Sequence, residues 1–216
     1  AAPCWASNDA PLPEAFDIAL VIAELGQHLG GVLAEGRRWI ERLVVATNVN
    51  DILHRALSDG DYSAGDVTPT AAPSMDIQVS SNFERLLFDV GGRDGIALAE
   101  QMRGFEASKA MQLTNAQRDG AAALFTSMRA DEDDMARAMR WACEDCAEIV
   151  DPHTAIGLHA ARAVELPHDV PVVTLATAHP AKFPDAVERS TGTRPSLPAR
   201  VGDLFAREEA YTELPG

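Results

Sequence analysis

Two apolar runs in this sequence stop at clusters of small polar residues. Leu43-Val44-Val45-Ala46 runs into Thr47-Asn48-Val49-Asn50-Asp51, and Val172-Val173-Thr174-Leu175-Ala176 runs into Thr177-Ala178-His179-Pro180. In open α/β sheets ligands sit beyond the carboxyl ends of strands, where loops converge over exposed backbone groups. Such clusters can hold a polar ligand, and they serve equally as plain turns. Lysine-dependent chemistry has two candidates, Lys109 and Lys182, among the eighteen basic residues. Cys143 and Cys146, with His153 nearby, raise the question of zinc. A closed tetrahedral site needs four ligands, and no second pair stands at suitable spacing. On a helix both cysteines fall close to the Met135/Met139 stripe, where a thiol behaves as a small hydrophobe. The acidic run Asp131-Glu132-Asp133-Asp134 reads as a solvated helix start favoured by the macrodipole. No metal site is expected.

The elements that position these residues alternate in type. Residues 1–15 read as loop, and residues 16–40 hold one apolar stretch without a countable period. A buried strand over 43–47 leads through an Asn/Asp turn into a short helix ending near Ser58. Residues 59–80 are rich in Gly and Pro and read as loop. Ser81 to Glu84 has capping-box spacing ahead of a helix whose stripe is Phe83, Leu86, Leu87 and Val90. Thr114 to Gln117 repeats that spacing and predicts a helix near 115–130. Further helices are predicted over 132–149, from Asp151-Pro152 to about Val164, and from Pro184 to near Gly192. A strand over 170–177 lies between the last two. Strands alternating with helices argue an α/β fold with a mostly parallel sheet, with the strands near 43–47 and 171–177 ending on the same edge.

The 216 residues suit one domain or part of a larger protein. A formal charge of −15 repels phosphate backbones and anionic lipids, so neither nucleic acid nor a membrane surface is an expected partner. The apolar run from Phe16 to Leu25 is short for a bilayer span, contains Asp17 and Glu24, and has no basic segment before it. Three cysteines are too few for a disulfide framework, which makes the cytoplasm the expected compartment.

Four blocks in this order resemble signatures of the threonine synthase family. They run from Ile40 to Asp51 (IERLVVATNVND), Ser74 to Leu86 (SMDIQVSSNFERL), Asp151 to Ala155 (DPHTA) and Leu175 to Pro184 (LATAHPAKFP). The resemblance covers residues 40 to about 205 and implies the C-terminal half of a pyridoxal-phosphate enzyme. The implied fold is a partial tryptophan-synthase-β-like unit (PLP fold type II), α/β with a mostly parallel sheet flanked by helices. The implied reaction is elimination of phosphate from O-phosphohomoserine and addition of water to give threonine. Residues 1–39 then form a divergent N-terminal segment, and residues 40–216 half of the catalytic domain.

The resemblance also implies roles. Thr177 would hydrogen-bond the pyridine nitrogen of the cofactor, Asn48, Asn50 and Asp51 would line the cofactor side of the cleft, and His153 and Thr154 the opposite wall. Gly30 and Gly31 stand where the family holds the cofactor phosphate, without its Gly-Asn-Phe-Gly-Asp motif. Ser81, Asn82 and Arg85 would meet the substrate phosphate, for which a guanidinium has matching bidentate geometry. The family's Schiff-base lysine lies in its N-terminal half and has no counterpart here; Lys182 belongs to the terminal signature and Lys109 to a variable stretch. The chain alone is therefore expected to be inactive and to need a missing N-terminal half-chain. The alternatives are a non-catalytic fragment that complements a partner half or has no activity, and a small metal-binding module built on Cys143 and Cys146.

Overall fold

The computed structural model describes residues 18–22, 40–166 and 170–212. Strands β1 (Ile18–Ile22), β2 (Ile40–Thr47), β3 (Phe125–Arg129) and β4 (Val172–Thr174) form one sheet of order β3-β2-β1-β4. Every pairing is parallel, so all four carboxyl ends share one edge. β2 and β4 both flank β1, which separates their ends by two strand spacings, about 10 Å.

Helices cover both faces, as a parallel sheet requires. Leu43 and Val45 of β2 pack into one core with residues of α1 (Ile52–Ser58), α2 (Phe83–Val90), α3 (Gly95–Ser108) and α4 (Asn115–Ala122). Val44 and Ala46 enter a second core with α5 (Glu132–Cys146), α6 (Pro152–Ala163) and α7 (Pro184–Thr191). Burial on both sides is why 43–46 carries no polar alternation. The fold is α/β with a parallel sheet flanked by helices. No helix among the described residues is long and apolar enough to cross a membrane.

Several local expectations are corrected. The helix expected over 115–130 stops at Ala122, and Phe125–Arg129 is the edge strand paired to β2 from Leu43↔Phe125 to Thr47↔Arg129. The Thr114/Gln117 capping box does open α4, but docking on β2 decides the fate of the next residues, a tertiary choice that overrides local pattern. The Ser81 capping box does not form. α2 starts at Phe83 behind Asn82 with no side-chain cap. The chain enters it through a backbone turn, Phe83 N–H to Ser80 O at 3.1 Å. Tyr62 fixes that turn, its hydroxyl accepting Ser80 N–H at 2.8 Å. α3 was not anticipated because only Phe105 of it is buried; Asp94 caps it through the Ile96 and Ala97 amides. The helix expected to 149 ends at Cys146, with Ala147 left-handed at φ 56°. The strand expected over 170–177 is only Val172–Thr174, so Thr177 lies beyond the ladder and strict strand alternation does not reach it.

Candidate functional site

The end of β2 is built around a carboxylate from elsewhere in the chain. Asn48 and Asn50 are buried at 3% exposure each, where an unmet amide is costly. Asn48 Nδ2 donates to Asp76 Oδ1 at 2.7 Å and to Thr70 Oγ1 at 3.0 Å, while its Oδ1 accepts Asn50 N–H at 2.9 Å. Asn50 Nδ2 donates to Asp76 Oδ1 at 3.0 Å and to Thr68 O at 2.8 Å, and its Oδ1 accepts Thr68 N–H at 2.8 Å. A side-chain amide nitrogen offers two donor hydrogens, so both Nδ2 groups are fully engaged in holding the 68–76 segment. Asp51 occupies the N-cap position of α1 without capping it. Its carboxylate instead pairs with Arg55 at 3.0 Å and Arg129 at 3.3 Å. The neighbouring Thr47 Oγ1 is buried without a hydrogen-bond partner among the described residues.

A second carboxylate organises the start of α6. Asp151 is fully buried and caps the helix by accepting His153 N–H at 2.9 Å and Thr154 N–H at 3.4 Å. His153 Nε2 accepts Ser74 N–H at 3.2 Å, so the neutral ring carries its proton on Nδ1, which reaches Asp151 Oδ1 at 2.9 Å. Thr154 Oγ1 donates to Asp151 Oδ2. Burial pushes the Asp151 carboxyl upward, but hydrogen bonds from His153 and Thr154 outweigh it and hold the group below the usual carboxylate range. Phe183 closes the cluster with its ring centroid 4.7 Å from that of His153.

Thr177 joins this network through its backbone. Its N–H donates to Thr154 Oγ1 at 3.2 Å, while its side chain stays exposed with no hydrogen-bond partner among the described residues. The next polar residue, His179, caps the turn Pro180–Lys182 by accepting Ala181 N–H on Nδ1 at 3.1 Å. Ser81 and Arg85 are exposed and Asn82 half-buried at the start of α2, and the Arg85 side chain has no ion pair among the described residues. Gly30 and Gly31 lie outside the described residues. Among the described residues no three His, Cys, Asp or Glu side chains group as a metal site, and Cys143 and Cys146 are half-buried thiols.

The structure thus brings Asn48 and Asn50 into one network and His153, Thr154 and Thr177 into another. Ser74 links them, one residue of backbone away from Met75 and two from Asp76. Asp76 and Thr70 were missed as site-building residues. Thr70 gives no signal beyond a hydroxyl in a Pro-rich loop, and Asp76, though inside the Ser74–Leu86 block, is needed by two asparagines whose burial the sequence does not show. Asp151, which in the sequence marks only the start of a helix, also anchors this side-chain network.

The profile of the family described as "Threonine synthase, C-terminal" matches residues 154–216. The threonine synthase of Pseudomonas aeruginosa is 47% identical over 177 residues, covering 82% of this chain and 38% of that protein. Among solved structures, the PLP-bound threonine synthase of Brucella melitensis superposes with a TM-score of 0.85 at 39% identity, over 92% of this chain and 43% of that one. The yeast threonine synthase gives a TM-score of 0.82 at 30% identity, over 89% of this chain and 43% of that one. The chain spans about two fifths of the length of the relatives it matches.

Proposed function

Since this chain belongs to the threonine synthase family and matches its C-terminal part, we propose that it supplies the C-terminal half of a PLP-dependent lyase converting O-phosphohomoserine and water to threonine and phosphate. Residues 40–216 form that half, working in the cytoplasm with the family's N-terminal half, which by resemblance carries the Schiff-base lysine. The observation that carries the reading is Thr177. It presents an unengaged hydroxyl at the carboxyl edge of a parallel sheet, on a backbone already held by Thr154. That donor fits a pyridine nitrogen, because a hydroxyl can donate a hydrogen bond without bringing a charge.

When bound, the cofactor supplies an electron sink for carbanions, and the protein sets its orientation and electronics. Thr177 orients the ring by donating to its nitrogen. Asn48 and Asn50 act on the cleft indirectly, by fixing the 68–76 segment, and Asp51 braces the start of α1. His153 and Thr154 hold the opposite wall; with both ring nitrogens engaged, His153 is a brace and not a proton carrier. Gly30 and Gly31, outside the described residues, would by resemblance stand where the family holds the cofactor phosphate. Ser81, Asn82 and Arg85 receive the substrate phosphate, and Arg85, exposed and without an ion pair among the described residues, suits that task. An uncovered apolar edge supports the partner half: Val172, Val173 and Leu175 are 40%, 42% and 40% exposed on and beside β4.

The purified chain alone should form no threonine from O-phosphohomoserine. Co-expression with the N-terminal remainder of the P. aeruginosa relative should yield a yellow, active assembly. Turnover by the chain alone, or a stable assembly that neither binds PLP nor turns over, would overturn the reading. A stable but colourless chain that leaves every such half unbound would favour the non-catalytic fragment instead.

A further inference from the structure

Building on the cofactor reading above, we propose that Asp151 and Thr154 are positioning residues that fix Thr177 for the ring nitrogen without touching the ring themselves. Thr177 stands three residues past Thr174, the last residue of β4, so no ladder bond holds it. Its backbone N–H is held by Thr154 Oγ1 at 3.2 Å. A threonine hydroxyl has one proton and two lone pairs. The Thr154 proton is committed to Asp151 Oδ2, so its oxygen must face the Thr177 amide as an acceptor. Asp151 therefore sets the polarity of the relay as well as its place.

Asp151 is itself immobilised. It lies at 0% exposure, with His153 at 4% and Thr154 at 3%, whereas Thr177 is open. Its Oδ1 receives the backbone N–H and the ring Nδ1–H of His153, both at 2.9 Å. The far side of that ring receives Ser74 N–H at 3.2 Å, two residues before the carboxylate that holds Asn48 and Asn50. A bonded path therefore connects the ends of β2 and β4 across the intervening strand β1. A mere helix cap would need only the Asp151–amide bonds; the outward bond from Thr154 to Thr177 is what a cap does not require.

The test has two readouts. In the isotopically labelled chain, Thr154→Val should shift the Thr177 amide resonance and speed its hydrogen exchange about 10-fold, and Thr154→Ser should restore both. In the assembly with the N-terminal half, Thr154→Val should weaken PLP binding about 10-fold, read by cofactor absorbance, and Thr154→Ser should restore it. Leu158→Ala, a buried residue of α6 outside the relay, controls for lost stability and should leave PLP affinity within about 2-fold. If Thr154→Val does not fold, Asp151→Asn is read the same way, since an amide can donate to Thr154 and reverse the relay. Unchanged Thr177 exchange, or a PLP loss matched by Leu158→Ala, overturns the positioning role. An unmodified assembly that binds no PLP overturns the cofactor reading itself, before any variant is made.

Discussion

Asn48 and Asp76, twenty-eight residues apart, meet through an Nδ2–Oδ1 hydrogen bond of 2.7 Å. The same Asp76 oxygen accepts Asn50 Nδ2 at 3.0 Å and the Thr70 hydroxyl at 2.7 Å, while Oδ2 accepts Thr70 N–H at 2.8 Å. One carboxylate thus closes a Pro-rich loop onto the end of a core strand. No apolar stripe in that loop could do so, because Ala72 and Met75 are its only buried hydrophobic residues after Tyr62 and before α2.

Asp76→Ala leaves one donor hydrogen of each of the Asn48 and Asn50 amides, and the Thr70 N–H and hydroxyl, without their acceptor. It should destabilise the chain by about 3 kcal/mol in urea denaturation. A double-mutant cycle with Asn48→Ala should give a coupling of about 1–2 kcal/mol. Strict additivity would mean that the loop is held by other contacts.

The Asp151 carboxyl predicts a pH dependence. Its folded pKa lies below the unfolded value of ~3.9, because bonds from His153 and Thr154 outweigh the upward push of burial. A depressed carboxylate contributes stability that is fully present above the unfolded pKa and is lost as pH falls through the folded one. The melting temperature should therefore stay level down to about pH 5 and drop below about pH 4. Asp61 and Asp134 are shifted the same way, so Asp151→Asn should reduce that acid slope without abolishing it. An unaltered slope in Asp151→Asn would remove Asp151 from the account.

Phe125 tests the edge strand. It is 4% exposed and belongs to the core shared by β2, α1 and α2. Phe125→Ala should cost about 3–5 kcal/mol in unfolding free energy. Hydrogen exchange should protect Leu43 N–H, which bonds to Leu124 O at 2.8 Å, among the slow amides of the sheet. Rapid exchange there would contradict the β2–β3 pairing.

Thr177→Val separates ligand contact from fold. The side chain is exposed and unpartnered, so the chain's stability should change by less than about 0.5 kcal/mol. In the assembly with the N-terminal half, PLP affinity should fall roughly 5- to 150-fold, the cost of about 1–3 kcal/mol for an unmet ring acceptor. Thr177→Ser should retain affinity. A large stability loss in Thr177→Val would show that Thr177 serves the strand end instead.

The sequence by itself determined the local and the repetitive. Leu43 to Ala46 announced a doubly buried strand because four successive apolar side chains have no polar face to show to water. Asp151-Pro152 announced α6, and Thr114 to Gln117 announced α4, because caps act within one turn of helix. The family blocks single out Thr177 as a candidate for the same reason, since a motif is a string of neighbours. Tertiary structure decided the rest. Phe125–Arg129 became a strand because β2 offered an open edge, a fact held in residues eighty positions away. Asn48, Asn50 and His153 became braces because their partners, Asp76, Thr70 and Ser74, arrive from a loop with no periodicity to read. Burial then made those partnerships obligatory, since an amide or imidazole removed from water must find its hydrogen bonds wherever the fold brings them.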